Sequence, residues 1–240
     1  MQDSRLLGVV RKCIEEFSLI EDGDKICVGV SGGKDSMSLL YALSRIQKFL
    51  PRKFELCAVN VDLGFEDIDK NKQAQMVAFS ESLGVPLHIV KTEIGKIVFE
   101  ERKEKSPCSL CANMRRGALN NKAKELGCNK VALAHSMDDF IETLMLSLVY
   151  EGRISTIPIQ THLSRSEITV IRPLFYADDK LVRTFAKELP ILVNPCPANK
   201  NTQRQYVRDL VAKLDRETDG GRDRMRTAVI ELVKNNSQNY

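Results

Sequence analysis

The sequence predicts an α/β protein with a doubly wound, mainly parallel five-stranded sheet and helices on both faces. Short apolar segments alternate with longer segments in which apolar residues recur at helical spacing. Strands that alternate with helices imply right-handed crossovers and therefore parallel neighbours. The 240 residues are 43% hydrophobic and 28% charged, which is enough for one large core in an ordinary globular protein.

The elements follow one another in a regular order along the chain. The predicted strands cover residues 25–30, 55–61, 86–90, 130–134 and 169–171, and residues 191–193 are expected to be extended. The predicted helices cover residues 3–18, 36–49, 69–83, 107–126, 137–150, 178–188, 201–215 and 222–235. We therefore divide the chain into an N-terminal helix (1–20), a central α/β domain (21–195) and a C-terminal helical segment (196–240).

The sequence carries no pattern typical of a secreted or membrane protein. Residues 1–12 do not resemble a signal peptide, and no run of about 18 apolar residues occurs. The seven cysteines make an odd count, which favours buried thiols, metal ligands or redox groups over a disulfide framework. We expect a cytoplasmic protein without a membrane partner.

Positive charge is concentrated in two parts of the chain. The net charge is +4, and residues 100–125 and 200–240 each contribute a net +3. Two basic zones on a slightly acidic body fit a polyanionic partner such as RNA. Ordinary solvated helix faces explain the same charges equally well.

A glycine loop joins the first predicted strand to the next helix. It reads Ser31-Gly32-Gly33-Lys34-Asp35-Ser36. The glycines let the backbone approach an anion, and the helix start supplies free N–H groups and a positive dipole end. Lys34 adds a positive charge, and Asp35 is expected to hold the turn by capping or to serve a metal. The loop matches neither the Walker A nor the dinucleotide glycine pattern, so it predicts a phosphate site of another kind.

Polar residues also follow the second and fourth predicted strands. They are Asn60, Asp62, His135, Asp138 and Asp139. The carboxyl ends of parallel strands meet at one edge of the sheet, so we expect these residues to share a cleft with the glycine loop. A turn role for Asp62, and a helix-dipole role for the two acids of residues 138–139, are the alternatives.

Three cysteines form a candidate ligand set. Cys108 and Cys111 stand three residues apart at the start of a predicted helix, and Cys196 lies between two prolines. Three thiolates suit either a 4Fe–4S cluster with one open iron or a zinc ion with a fourth ligand. The other cysteines are expected to be small core residues: Cys13, Cys27, Cys57 and Cys128.

Several motifs resemble those of a known family. The Ser-Gly-Gly-x-Asp-Ser loop is similar to that of the PP-loop ATPases, and the full set of motifs resembles the tRNA 2-thiocytidine synthetases within that superfamily. The further motifs are Cys108-Ser-Leu-Cys111 with Arg115-Arg116-Gly117, Ala134-His135-x-x-Asp138-Asp139, Ile171-Arg172-Pro173-Leu174 and Cys196-x₆-Gln203-Arg204-Gln205. They occur in the family's order and span roughly residues 5–215.

The resemblance implies an ATP-dependent tRNA thiolase. Such an enzyme adenylates the C2 oxygen of the cytidine at tRNA position 32, releases pyrophosphate and AMP, and replaces the oxygen with sulfur by way of a 4Fe–4S cluster. The implied cofactors are ATP, Mg²⁺ and the cluster. The implied partners are tRNA and a sulfur donor, either a cysteine desulfurase or sulfide, and a homodimer is among the expected assemblies.

The resemblance also assigns roles to individual residues. The implied cluster ligands are Cys108, Cys111 and Cys196. The expected catalytic residues are Asp138, Lys34 and Arg115, the last of which is equally compatible with a surface role. The expected ATP-binding residues are Ser31, Gly32, Gly33, Lys34, Asp35, Ser36, Asn60, Asp62, His135 and Asp139. A basic face with Arg204, Arg208 and Arg216 is expected to contact tRNA phosphates.

Four alternatives stay open from the sequence. A tRNA lysidine synthetase shares the loop but needs no cysteine ligands, and thiouridine-forming synthetases usually carry paired zinc-finger cysteines at their ends. A nucleotide-binding module without catalysis would not turn ATP into AMP. A zinc-stabilised RNA-binding protein would be colourless after anaerobic purification, whereas a 4Fe–4S protein is brown.

Overall fold

A six-stranded sheet forms the centre of the computed structural model, which describes residues 2–102, 107–192, 196 and 202–237. The strand order is β3-β2-β1-β4-β6-β5. All neighbouring pairs are parallel except β5 and β6, which pair antiparallel. The strands are β1 Lys25–Gly29, β2 Glu55–Asp62, β3 Leu87–Lys91, β4 Lys130–Ala132, β5 Gln160–Leu163 and β6 Ile168–Ile171.

Helices cover both faces of the sheet. They are α1 Gln2–Glu16, α2 Lys34–Ile46, α3 Lys70–Ser82, α4 Ile94–Lys96, α5 Pro107–Glu125, α6 Met137–Leu146, α7 Asp179–Phe185, α8 Gln203–Glu217 and α9 Gly221–Ser237. Single π-helical turns follow α4 (Ile97–Glu101) and α6 (Ser147–Glu151), and a 3₁₀ turn (Ala186–Glu188) follows α7. None of the helices described has the length and apolar character needed to span a membrane.

Alternate strand residues enter two separate hydrophobic clusters. Ile26 and Val28 of β1 lie in the cluster that includes α1 and α2, whereas Cys27 between them lies in the cluster that includes Leu119 of α5. This period of two is the pattern of a strand that is covered on both faces. The sheet is therefore buried between helical layers, as the sequence predicts.

The predicted fold class is confirmed, but the predicted number of strands is wrong. Gln160–Leu163 forms a sixth strand, which pairs only with β6 and lies at the edge of the sheet. Its sequence alternates exposed and partly buried residues and contains no buried apolar run, so it lacks the pattern by which the other strands are recognised. The short helix at residues 94–101 is also absent from the prediction, and Val193 lies outside the residues described.

The three predicted segments contribute to a common hydrophobic cluster. Leu6 of α1, Phe140 of α6, Val207 of α8 and Val229 of α9 all belong to it. Phe140 packs against Phe175 with ring centroids 4.7 Å apart, near the middle of this cluster. The described parts of the C-terminal segment are thus packed against the α/β core, and the domain boundaries themselves stay a prediction.

A buried carboxylate joins the C-terminal helices to α6. The side chain of Glu142 is 6% exposed, and its oxygens accept hydrogen bonds from Arg208 Nε (2.7 Å) and Arg204 (3.1 Å), both in α8. A buried charge is tolerated only when it is paired in this way. Glu142 therefore fixes the position of α8 against the first turns of α6.

We predict that Glu142→Ala lowers the free energy of unfolding by about 1–3 kcal/mol. The loss stays below the roughly 3–5 kcal/mol of a pair whose remaining charge is buried, because both arginines are about half exposed and can turn toward water. Urea unfolding followed by circular dichroism measures the change. Glu217→Ala is the matched control, since Glu217 is exposed and lies 3.9 Å from Lys213, and it should cost less than about 0.5 kcal/mol. Equal losses in the two variants would contradict the role of Glu142.

Candidate active site

The cleft lies where the strand order reverses. The chain runs from β1 to β2 on one side and from β4 to β6 on the other, so β1 and β4 are adjacent but their following loops diverge. A crevice at such a reversal is the usual ligand site of a doubly wound sheet. The glycine loop follows β1, and His135 follows β4.

Gly32 has a backbone that only glycine adopts easily. Its φ is +83°, and an added Cβ would lie 2.6 Å from Leu192 Cβ. The backbone N–H of Leu192 donates a hydrogen bond to the carbonyl of Gly32 (2.9 Å). The loop therefore owes its shape to the absence of a side chain at this position and to a close neighbour from the segment after α7.

Ser36, rather than Asp35, holds the turn. Its hydroxyl accepts a hydrogen bond from the N–H of Ser31 (3.1 Å) and donates one to the carbonyl of Gly33 (2.9 Å). Gly33 is the N-cap of α2, and no side chain caps this helix. The expectation that Asp35 caps the turn is thus wrong, because its carboxylate pairs with Lys34 instead. The N–H groups of the first helical turn are left without a side-chain acceptor.

Lys34 lies between two carboxylates. Its ammonium is 2.7 Å from Asp35 and 2.8 Å from Asp179, the first residue of α7. Burial acts to lower the pKa of Lys34, but the hydrogen bonds with Asp179 and Asp35 outweigh it and raise the pKa. Lys34 is therefore positively charged at neutral pH and held by the site's own acids.

Asp138 supports this arrangement from α6. One carboxylate oxygen accepts a hydrogen bond from the backbone N–H of Asp179 (2.6 Å), and the other is paired with Arg222 of α9. The side chain is 13% exposed. These contacts give Asp138 a positioning role at the start of α7, and the predicted role as catalytic acid stays a prediction.

Asp139 has a capping role. Its carboxylate accepts a hydrogen bond from the N–H of Ser136 (2.9 Å), and Ser136 and Asp139 together form a capping box at the start of α6. Arg204 lies 3.6 Å from the second oxygen. Asp139 therefore has the helix-terminal role considered as its alternative, and its contact with ATP stays a prediction.

Asn60 and Asp62 lie at the end of β2, and Asn60 has one amide atom in a hydrogen bond and one without a partner among the residues described. The Asn60 amide donates a hydrogen bond to the carbonyl of Val30 (2.7 Å) and so joins β2 to the start of the loop. Its Oδ1 is buried and finds no hydrogen-bond donor among the residues described. Asp62 accepts a hydrogen bond from the N–H of Gly64 (3.0 Å), which is the turn role considered as its alternative.

A cavity of about 290 Å³ opens between the loop and α5. Its lining combines apolar residues from the strand ends with polar groups from the loop and α5. The lining residues are Gly29, Val30, Ser31, Val59, Val61, Leu63, Ala112, Arg115, Arg116, Leu119, Leu133 and His135. Three predicted site residues, Ser31, Arg115 and His135, thus meet at one cavity whose size lies near the lower end for ligand pockets.

The imidazole of His135 is kept neutral by its surroundings. Burial, followed by the positive charges of Arg172, Arg204 and Arg116, lowers its pKa to about 4. Its Nδ1 is buried and has no hydrogen-bond partner among the residues described. A neutral ring nitrogen without a partner at the cavity wall is suited to a hydrogen bond with a bound molecule.

Two further residues belong to the site although the sequence interpretation gives them no role. Asp179 holds Lys34, and Arg172 lies in the electrostatic field around His135. Burial, together with the charge of Arg116, lowers the pKa of Arg172 to about 10, and its guanidinium donates to the carbonyl of Pro158 (2.7 Å). Arg172 could have been found in the Ile171–Leu174 motif, whereas no local pattern marks Asp179.

The three candidate ligand cysteines lie within electrostatic reach of one another. Cys108 is exposed and Cys111 is partly buried at the start of α5. Burial raises the pKa of the Cys111 thiol, Arg115 opposes this, and the charges of Cys196 and Cys108 raise it further. The structure therefore brings Cys196 to the cysteine pair across a long separation in the chain. Among the residues described, no three metal-ligating side chains lie close enough together to bind one ion.

The predicted basic face is partly occupied by internal contacts. Arg204 and Arg208 pair with Glu142, so part of the positive charge of each is already neutralised within the protein. Their side chains are nevertheless 42% and 54% exposed, and Arg216 is exposed. The basic residues at positions 103 and 105 lie outside the residues described.

Sequence comparisons agree on one family. A family model described as a PP-loop domain matches residues 6–214. A tRNA-cytidine(32) 2-sulfurtransferase from Marinobacter nauticus is 38% identical over 232 residues, which cover 95% of this chain and 76% of that protein. A protein of the same name from Pelobacter propionicus is 38% identical over 218 residues, which cover 89% of this chain and 80% of that protein.

A solved structure supports the fold. The U34-tRNA thiolase NcsA from Methanococcus maripaludis, solved with its 4Fe–4S cluster, superposes with a TM-score of 0.74. It is 24% identical and covers 95% of this chain and 78% of its own. At this identity the likeness concerns the architecture of the chain.

We predict that Gly32→Ala lowers the free energy of unfolding by about 1–3 kcal/mol, because it combines a positive φ with overlap against Leu192. Gly33→Ala is the matched control. Gly33 has φ −73°, and its added Cβ would meet only Ser31 Oγ at 3.4 Å, so the loss should stay within about 0.5 kcal/mol. Urea denaturation compares the two, and similar losses would show that the loop tolerates a side chain at residue 32.

We predict that His135 makes the protein less stable in mild acid. The folded pKa of about 4 lies below the ordinary 6.5, so the unfolded chain binds the proton first and stability falls as the pH drops from 6.5 toward 4. The wild type should therefore lose about 1–2 kcal/mol more than His135→Gln between pH 7 and pH 5. Urea unfolding at several pH values measures this. His162→Gln, at an exposed edge strand, should follow the wild type, and parallel curves for all three proteins would contradict the prediction.

Proposed function

Because the chain belongs to the PP-loop family and, within it, to the tRNA-cytidine(32) 2-sulfurtransferases, we propose that it uses ATP to replace the C2 oxygen of cytidine 32 in tRNA with sulfur. The observation that carries this proposal is the shared cavity. Ser31 of the phosphate loop and Arg115 of the cysteine-bearing helix line the same space. The activating nucleotide and the sulfur chemistry would therefore meet at one site.

The ATP phosphates would be bound by the glycine loop. The uncapped N–H groups at the start of α2 and the positive end of its dipole favour an anion there. Lys34 would exchange its contacts with Asp35 and Asp179 for phosphate oxygens. Two buried atoms without partners, Asn60 Oδ1 and His135 Nδ1, fit the nucleoside end of the same molecule.

The acids beside Lys34 suit Mg²⁺. Asp35 and Asp179 both contact the Lys34 ammonium, which shows that a cation is stable between them. Mg²⁺ in nucleotide sites is usually bound by one or two carboxylates and the phosphates themselves. We therefore assign Mg²⁺ to Asp35 and Asp179, where it would neutralise phosphate charge, because the carboxylate of Asp139 is used in the capping box.

The three cysteines fit a 4Fe–4S cluster in the kind of ligand that they offer. Cys108, Cys111 and Cys196 come from two separate parts of the chain and influence one another electrostatically. Iron–sulfur clusters take thiolate ligands, and three of them leave one iron open. When bound, such a cluster supplies a place for the sulfur that enters the base. Arg115, whose charge opposes the effect of burial on the pKa of Cys111, would stabilise the negative charge of these ligands.

The chain's own residues would act mainly by positioning and electrostatics. The C2 oxygen of the cytosine attacks the α-phosphorus of ATP, and pyrophosphate leaves. Lys34 and the loop N–H groups would stabilise the charge of the leaving pyrophosphate. Arg116 and Arg172, near His135, would attract the phosphate of the adenylated base. Asp138, the predicted catalytic acid, would also position Asp179.

The partners follow from this reaction. The exposed parts of Arg204 and Arg208, together with Arg216, would contact the tRNA backbone. The entering sulfur would come from a cysteine desulfurase or from sulfide. We place the reaction in the cytoplasm and include a homodimer in the proposal.

We predict that the anaerobically reconstituted protein with ATP, Mg²⁺, sulfide and bulk tRNA yields 2-thiocytidine and releases pyrophosphate. Lys34→Ala should lower pyrophosphate release by about 10²–10³-fold, because it removes charge stabilisation at the leaving group. Lys48→Ala is the matched control, since Lys48 is exposed just beyond α2. Nucleoside mass spectrometry and a pyrophosphate assay give the two readouts.

The outcomes separate the parts of the proposal. Sulfur found in uridine instead of cytidine would reject the base assignment. ATP consumption without any thiolated nucleoside would reject the sulfur transfer and keep the nucleotide site. Equal activity of Lys34→Ala and Lys48→Ala would reject the role of Lys34.

A further inference from the structure

A second group of cysteines lies between the sheet and α5, in the hydrophobic cluster that also contains Val59 and Leu119 of the cavity lining. Cys27 is in β1, Cys57 is in β2, and Cys128 follows the end of α5. The sulfur atoms of Cys57 and Cys128 are 3.4 Å apart, and both lie close enough to Cys27 to raise the pKa of its thiol. All three belong to the cluster that includes Leu119 and Ala123 of α5. These three thiols have no role in the proposed phosphate site and are not among the candidate cluster ligands.

The three thiols differ in their access to solvent. Cys27 is 0% exposed, whereas Cys57 is 4% and Cys128 is 6% exposed. Cys27 lies opposite Cys57 in the parallel pair of β1 and β2, and opposite Val131 in the pair of β1 and β4. Its backbone is therefore restrained by a neighbouring strand on each side. Cys128 lies between α5 and β4, just after Gly127 with φ +73°. The pair Cys57–Cys128 is therefore nearest to the surface and has one partner outside the regular elements.

The surroundings favour one thiolate in this group. The neighbouring sulfur atoms of Cys27 and Cys57, together with the charge of Lys25, lower the pKa of Cys128 against the effect of burial. The pKa of Cys57 is raised, first by its hydrogen bond with Cys128. A thiolate is the reactive form of cysteine, and a neutral thiol in contact with it is a suitable resolving group.

We propose that Cys57 and Cys128 form a redox modification site, at which a peroxide converts the two thiols into an intramolecular disulfide. The Cys128 thiolate attacks a peroxide oxygen, the O–O bond breaks, and with one proton this gives a sulfenic acid and water. The Cys57 thiol then attacks the sulfenic sulfur, and the hydroxyl leaves as water with the thiol proton. Two thiols and one hydrogen peroxide thus give one disulfide and two water molecules, and a dithiol reverses the change.

The modification would link a core strand to the helix that carries the candidate ligands. A disulfide needs the sulfur atoms to approach from 3.4 Å to about 2.05 Å, which requires a small movement of Cys128 toward β2. Cys108 and Cys111 lie at the other end of α5. Oxidation would therefore fix the carboxyl end of this helix to the sheet and reduce its freedom to move at the cleft.

The test uses the full-length protein, purified anaerobically and titrated with hydrogen peroxide. After quenching, thiols are alkylated in denaturant and the protein is digested with trypsin. Each thiol of the group lies on its own tryptic peptide, namely 26–34, 54–70 and 125–130. We expect a disulfide-linked pair of peptides 54–70 and 125–130 that disappears on treatment with dithiothreitol, and an upward shift of Tm in the oxidised protein.

Variants distinguish this site from general oxidation. Cys128→Ala and Cys57→Ala should each abolish the linked peptides, with far-UV circular dichroism confirming that at least one of them is folded. Cys27→Ala should keep the link. Cys13→Ala is the matched control, because Cys13 is equally buried but its thiol contacts the carbonyl of Arg172 rather than another sulfur, and it should also keep the link. The proposal fails if Cys57 and Cys128 stay alkylatable when Cys108 and Cys111 are oxidised, or if the link forms only in urea.

Discussion

The divergence of the chain at the carboxyl ends of β1 and β4 is the constraint on which the other features depend. Adjacent parallel strands whose connections leave in opposite directions cannot close the space between them. The glycine loop forms one wall of this space, and the segment with His135 forms another. The lining from α5 then brings Arg115, about one helical turn after Cys111, to the same edge. Position in the sheet, rather than any single side chain, thus determines which residues meet.

The C-terminal helices complete the cleft through buried charges. Glu142 would be strongly unfavourable in the core without Arg204 and Arg208, and Asp138 is in the same position with respect to Arg222. Both acids lie in α6, which begins directly at the cleft. The shape of the site therefore depends on residues far along the chain from the glycine loop, and α8 and α9 are structural parts of it.

The parts of the fold with a strong local pattern could be predicted from the sequence, and the long-range contacts could not. The first strand, the glycine loop and the start of α5 are recognisable because apolar runs, glycine and proline act within a few residues. The edge strand Gln160–Leu163 lacks such a pattern and forms only because β6 offers a partner. Asp35 and Ser36 both have side chains that could accept a hydrogen bond in the turn. Because the carboxylate of Asp35 pairs with Lys34, Ser36 makes these hydrogen bonds. The contact of Glu142 with Arg208 joins residues 66 positions apart, which no local rule encodes.

The ion pairs of Lys34 have a consequence for selectivity among small anions. The charge of Lys34 is compensated by Asp35 and Asp179, so the positive potential at the loop is weaker than its sequence implies. An ion such as chloride or monophosphate would have to displace two carboxylates from Lys34, and it brings no cation to neutralise them. A polyphosphate with a bound divalent cation does both: its phosphate oxygens pair with Lys34, and its cation pairs with the two carboxylates. The ion pairs of Lys34 therefore weaken the binding of simple anions to the loop, although its backbone N–H groups alone would attract them.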